Sequence, residues 1–204
     1  MIKIKENRMS QSNVIIVHGA YGHPFENWFN WMKTELESLG IECFVPQLPT
    51  PDGQELKNWL HVFNSTVSPM ITHDTILIGH SLGSAFLLRW LEQANQSVFS
   101  TILAGSFIGT VGIQKFDKIN ESFFENGFDW HSIINKSKQF FCYHGSNDPY
   151  ISRSNFNFIA NNLQARKIII SQGGHLNEAA GFSSFPQLLI QLKSLLGINY
   201  GKFI

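Results

Sequence analysis

Residues 75–94 read TILIGHSLGSAFLLRWLEQA, and the junction inside this stretch decides the fold. The run 75–79 is apolar and suits a strand, whereas the residues from Ser84 onward place apolar side chains at helical spacing. Between the two lie Gly79, Ser81 and Gly83, two residues ill suited to a strand interior on either side of a small hydroxyl. A Gly-x-Ser-x-Gly pentapeptide that closes a strand and opens a helix has the form of a nucleophile elbow. The turn is so tight that flanking side chains must vanish, hence Gly79 and Gly83, and Ser81 is presented above the sheet edge. The helix N-terminus then stabilises negative charge developing nearby.

Outward from this junction, apolar runs recur at 13–18 (NVIIVH), 42–45 (ECFV), 100–104 (STILA), 139–144 (QFFCYH) and 166–170 (RKIII). Runs this apolar, without clean alternation, suit strands buried on both faces of a parallel sheet. The segments between them, such as ENWFNWMKTELESLG, GQELKNWLHVFNSTV and FPQLLIQLKSLLG, carry apolar residues near a spacing of 3.6. A β-α unit repeated about six times predicts a three-layer α/β fold, a parallel sheet of six strands with helices on both faces. Segment 105–138 breaks the rhythm and carries Phe107, Phe116, Phe123, Phe124, Phe128 and Trp130. It reads either as a lid or binding loop that places Phe107, Phe123 and Phe124 in a substrate pocket, or as a helix packed on the sheet by ordinary aromatic contacts.

A chain of 204 residues with 43% hydrophobic content supports one domain, expected over 13–204 after a flexible polar extension at 1–12. Lys plus Arg and Asp plus Glu balance at 15 each, which removes any overall electrostatic drive toward nucleic acid or an anionic membrane. The N-terminus lacks the apolar segment of a secretory signal, and no run approaches the length of a membrane span. Cys43 and Cys142 lie in apolar runs and read as reduced core thiols, so a cytoplasmic location is expected. The eight histidines form no HExxH pair and no phosphate-binding glycine loop is present, so neither a metal nor a nucleotide cofactor is expected.

A serine hydroxyl is a weak nucleophile near neutral pH. It needs a base, and the base needs an orienting carboxylate. In α/β-hydrolases the chain order is serine, acid, histidine, with the latter two on loops after later strands. Of Asp117, Asp129 and Asp148, only Asp148 directly follows a predicted strand; of His131, His144 and His175, only His175 sits just beyond the last one. An acyl-transfer intermediate also requires two backbone N–H donors. One belongs to Leu82, after the nucleophile, and the other is assigned to Ala20 in HGAYG, residues 18–22, after the first strand. Tyr21 and His80 are expected to line the pocket beside them.

The blocks VHGAYGHPFENWFNWMKTEL, IGHSLGSAFLLRWL, GSNDPYI and GGHLNEAAGFSSFPQLL resemble the small serine hydrolases that include retinoblastoma-binding protein 9 and the bacterial YdeN-type proteins. The resemblance runs from about residue 13 to 196 and implies a compact α/β-hydrolase core of six parallel strands, lacking the first two strands of the larger fold. It implies a Ser-Asp-His triad on Ser81, Asp148 and His175, the residues already reached from spacing. The expected activity is hydrolysis of small ester, thioester or amide substrates, with no cofactor. The competing expectation is a protein-binding module that retains the fold, and an intact elbow favours the enzyme because a binder has no need of a strained turn.

Overall fold

The computed structural model describes residues 12–198. Of the extension expected at 1–12, all but Ser12 lies outside the described residues, and Ser12 itself is buried. Six strands, β1 (Asn13–Val17), β2 (Glu42–Phe44), β3 (Ile76–His80), β4 (Ser100–Ala104), β5 (Phe140–Gly145) and β6 (Arg166–Ile170), form one sheet in the order β2-β1-β3-β4-β5-β6. Every pairing is parallel. The helices are α1 (Phe29–Ser38), α2 (Leu56–Thr66), α3 (Leu82–Gln93), α4 (Gln114–Asn120), α5 (Trp130–Ile134), α6 (Arg153–Asn162) and α7 (Pro186–Leu196).

The sheet separates two apolar cores, and successive strand residues alternate between them. Ile15, Val17 and Leu77 join Trp59 and Phe63 of α2, Phe86 and Leu87 of α3, and Phe156 of α6 on one face. Val14, Ile16, Ile76 and Ile78 join Phe29, Met32 and Leu36 of α1 and Leu188 and Leu192 of α7 on the other. This explains why the strand sequences are continuously apolar, since both sides of the pleat are covered. β6 departs from that expectation: Arg166 and Lys167 are exposed and the rest is half-buried. It is the terminal strand beyond β5, and charge on such a strand hinders pairing with a second sheet. Cys43 and Cys142 are buried free thiols, and burial pushes each up to about 12. No helix among the described residues is long and apolar enough to cross a membrane.

The chain runs from β1 outward to β2, then returns to place β3 on the other side of β1. Loops at the carboxyl ends of β1 and β3 therefore part in opposite directions, which opens the crevice where parallel sheets hold ligands. Ser81 follows β3 and Ala20 follows β1, so the elbow and the HGAYG loop meet at that crevice.

Segment 105–138 folds into α4, a 3-10 turn over Glu121–Phe123, and α5. Its second half is gripped by α3. Arg89, itself buried, donates from Nε to the Phe123 carbonyl at 2.9 Å, from Nη1 to that of Gly127 at 3.0 Å, and from Nη2 to that of Asn126. The guanidinium also lies 3.8 Å over the Phe128 ring. Glu92 pairs with Arg89 at 3.1 Å and accepts the Asp129 N–H at 2.7 Å. Phe123 is fully buried, with its ring 5.1 Å from and edge-on to that of Trp59. Phe123→Ala should therefore cost about 3–5 kcal/mol of stability, through lost burial and the cavity left behind. A urea titration that moved by less than about 1 kcal/mol would contradict this placement.

Candidate active site

Ser81 has φ 55° and ψ −122°, a backbone conformation that a residue with a Cβ holds only when its surroundings over-determine it, at a cost of about 1–3 kcal/mol. The surroundings do so by close packing. A Cβ on Gly79 would stand 2.6 Å from the backbone of Ser84, and one on Gly83 would stand 2.5 Å from the His18 carbonyl oxygen and closer still to that of Val17. The two glycines thus let the start of α3 settle against the ends of β3 and β1. The Ser81 N–H continues the β3–β4 ladder to the Ala104 carbonyl at 2.9 Å, and the Ser84 hydroxyl donates to the Gly79 carbonyl at 2.8 Å.

The structure brings Ser81, His175 and Asp148 together in one hydrogen-bonded line. Ser81 Oγ lies 3.0 Å from His175 Nε2, and His175 Nδ1 lies 2.9 Å from Asp148 Oδ2. A carboxylate only accepts, so the His175 proton belongs on Nδ1 and the Nε2 lone pair faces the serine hydroxyl. Asp148 Oδ1 accepts the N–H groups of Tyr150 at 2.9 Å and Ile151 at 3.1 Å. Burial raises its pKa, but the hydrogen bond and charge of His175 together with those two N–H groups outweigh burial and hold the carboxyl below its ordinary value. The other acids stand elsewhere: Asp129 caps α5 through the Ser132 N–H, and Asp117 accepts the N–H groups of Val111 and Gly112.

The HGAYG loop is fixed from behind. His18 donates from Nδ1 to the Gly19 carbonyl at 2.8 Å and accepts the Leu48 N–H on Nε2 at 3.0 Å. Burial lowers its pKa, consistent with a neutral ring that donates on one side and accepts on the other. The Tyr21 N–H is shared between Thr50 Oγ1 at 2.9 Å and Gln54 Oε1 at 3.1 Å, and Gln54 donates to Asn120 Oδ1 at 2.8 Å. The loop lies directly on the serine, since a Cβ on Gly19 would be 3.0 Å from that of Ser81. Among the described residues, neither the Ala20 nor the Leu82 N–H has a protein acceptor.

A cavity of about 190 Å³ opens over Ser81 and His175, bordered by Ala20, His80, Phe107, Val111, Phe116 and Ile151. Three aromatic residues expected here do not line it. Phe123 faces the core against Trp59, and Phe124 packs on the outer side of Phe107 with ring centroids 5.3 Å apart. Tyr21 also stands behind the lining; its ring backs that of Phe116 at 5.7 Å. Sequence reasoning passed over Tyr150, whose ring stands edge-on to His175 at 5.1 Å. The Asp-Pro turn that carries Asp148 was the available signal. Glu26, Asn27, Asn120 and Asn177 also line the cavity, drawn from the loop before α1, the end of α4 and the loop after β6, with no shared motif. Burial raises the Glu26 pKa, and among the described residues no Lys or Arg borders the cavity. No group of three His, Cys, Asp or Glu among the described residues is arranged to hold a metal ion.

Comparison with known proteins places this architecture. YdeN of Bacillus subtilis is 28% identical over 176 residues, spanning 85% of this chain and 90% of that protein. Its crystal structure superposes with a TM-score of 0.83 at 27% identity, covering 91% of this chain and 99% of the other. The serine hydrolase RBBP9 of Rattus norvegicus is 23% identical over 190 residues, 92% of this chain and 97% of that one. Est1E of Butyrivibrio proteoclasticus, solved with ferulic acid bound, shares the fold at a TM-score of 0.69 and 13% identity, covering 94% of this chain and 89% of its own. The six-stranded parallel sheet with its seven helices is an α/β-hydrolase fold. Residues 14–194, from the first strand to the last helix, match the serine hydrolase family, and with nearly the whole described chain inside that match, the protein belongs to the serine hydrolase family.

Proposed function

We propose that the protein cleaves small ester, thioester or amide substrates through an acyl-enzyme on Ser81. The observation that carries this reading is the line Ser81 Oγ to His175 Nε2 at 3.0 Å and His175 Nδ1 to Asp148 Oδ2 at 2.9 Å. His175 takes the Ser81 proton as Oγ bonds to the substrate carbonyl carbon, and Asp148 stabilises the imidazolium that forms. The carbonyl oxygen, now an anion, accepts the unengaged N–H groups of Ala20 and Leu82. Collapse breaks the bond to the leaving group, which departs with the proton from His175. Water then repeats the sequence on the acyl-enzyme, giving up a proton to His175 and releasing the acid and the free serine.

The cavity supports compact groups without a negative charge. Its wall of Phe107, Val111, Phe116 and Ile151 is apolar, and Glu26, with no Lys or Arg among the described residues lining the cavity beside it, disfavours a carboxylate-bearing substrate. A binding role that left this site idle would give no reason for the φ of 55° at Ser81, which costs stability and serves only to present the hydroxyl. A fluorophosphonate probe tests the proposal: the wild type should be labelled on Ser81 and Ser81→Ala should lose labelling and esterase turnover together. Equal labelling of the two proteins would show that another residue is the nucleophile.

A further inference from the structure

Resting on the reading of Ser81 and His175 above, we infer that His80 and Trp28 are positioning residues for His175, whose ring N–H groups clamp the successive backbone carbonyls of His175 and Leu176. His80 Nε2 lies 3.0 Å from the His175 carbonyl oxygen, and Trp28 Nε1 donates to that of Leu176 at 3.0 Å. The donors come from different parts of the chain. His80 ends β3, and Trp28 precedes α1. Both rings are buried, at 4% and 0% exposure, and they meet edge to face at 6.3 Å.

The segment they hold has reason to need holding. Gly174 and Leu176, on either side of His175, have φ of 50° and 54°. The left-handed region is strained for leucine, so this backbone persists only where contacts fix it. Asn147 Oδ1 accepts the Gly174 N–H at 2.8 Å, and Asn27 Oδ1 accepts the Glu178 N–H at 2.8 Å. Those bonds secure N–H groups to either side, whereas His80 and Trp28 secure the carbonyls at and after His175. His80 is also the residue before Ser81. It therefore ties the serine's own strand end to the base's backbone, and it fixes from both sides the 3.0 Å contact that proton transfer requires.

A core-filling role does not account for the imidazole. A carbonyl only accepts, so the His80 proton sits on Nε2, and Nδ1 is left buried without a partner among the described residues. Burial first, and then the neighbouring His175, lower its pKa to about 3, so the ring stays neutral. An unpaired buried acceptor is a standing cost that leucine or phenylalanine would avoid. The gain that offsets it is the single N–H directed at the His175 carbonyl.

The test compares wild type with His80→Leu, His80→Gln and Trp28→Phe. The glutamine amide can reach the same carbonyl as His80 Nε2, and phenylalanine keeps the aromatic bulk while deleting the indole N–H. Two quantities are read: the second-order rate of fluorophosphonate labelling at Ser81, and amide hydrogen exchange of residues 173–178. His80→Leu should slow labelling about 10- to 100-fold and speed exchange in that segment. Trp28→Phe should move both in the same direction, and His80→Gln should restore both to within about 3-fold of wild type. Unchanged labelling and exchange in folded His80→Leu overturns the inference, as does a loss that glutamine fails to restore. If Ser81 of the wild type takes no label while His80→Leu still loosens 173–178 and glutamine tightens it, the clamp stands and the nucleophile assignment falls.

Discussion

Asp148→Asn should lower kcat by about 10⁴-fold while the protein stays folded. The argument lies in which atom the amide must turn toward His175. Asp148 Oδ1 accepts the N–H groups of Tyr150 and Ile151, and in the variant those donors retain the amide oxygen. The NH₂ group is then left facing His175 Nδ1, where it acts only as a donor. The imidazole must answer with a lone pair on Nδ1, its proton moves to Nε2, and Nε2 can no longer accept from Ser81. Steady-state hydrolysis of p-nitrophenyl acetate, set beside a thermal melt, checks this. Asp129→Asn is the control, since Asp129 is exposed and only caps α5, and it should leave kcat unaltered. Near-normal turnover by Asp148→Asn would remove Asp148 from the mechanism. The variant also changes the response to acid. A carboxyl held below its ordinary value contributes stability in full above its unfolded pKa of about 3.9, and that contribution is lost as pH falls through the folded value. Asp148→Asn should lack this component of acid unfolding.

Gly83→Ala should cost about 3 kcal/mol or more and sharply reduce the yield of folded protein. The sign is the informative part. Gly83 lies in the first turn of α3, and glycine to alanine inside a helix ordinarily stabilises by about 1 kcal/mol. Here the new methyl would meet the carbonyl oxygens of Val17 and His18. These belong to the end of β1 and the residue that follows it, backbone that cannot yield without moving the HGAYG loop off Ser81. Gly40→Ala offers a contrast, because Gly40 has φ 77° but nothing within 4 Å of a Cβ. Its cost reflects backbone strain alone, about 1–2 kcal/mol. Denaturant melts of the two variants separate the effects, and a Gly83→Ala protein as stable as wild type would mean that α3 need not approach β1 so closely.

The elbow was legible in sequence because its requirement is local. Two small residues at fixed offsets from a serine, between a strand pattern and a helix pattern, describe a shape that few arrangements satisfy. The strands were legible because burial on both faces leaves an apolar run whose length is that of a strand; β6 misled in its burial because nothing in RKIII says that it ends the sheet. The aromatic residues of 105–138 resisted reading for a different reason. Phe107, Phe123 and Phe124 are chemically alike, and which one faces the cavity depends on how the 3-10 turn after α4 packs against α2 and α3. Glu26 and Asn177 reach the cavity from loops about 150 residues apart, a proximity that only the assembled sheet creates.

The grip of Arg89 and Glu92 on residues 123–129 is made almost wholly through main-chain atoms, the carbonyls of Phe123, Asn126 and Gly127 and the N–H of Asp129. Main-chain contacts are indifferent to which side chain each gripped position carries. The stretch that supplies Phe107, Val111 and Phe116 to the cavity lies outside the grip. Inherited variation can therefore reshape the cavity wall by exchanging residues from 107 to 116 while the helix behind Ser81 keeps its place. Libraries randomised over that stretch, with Arg89 and Glu92 retained, are the economical route to new acyl preferences on this scaffold.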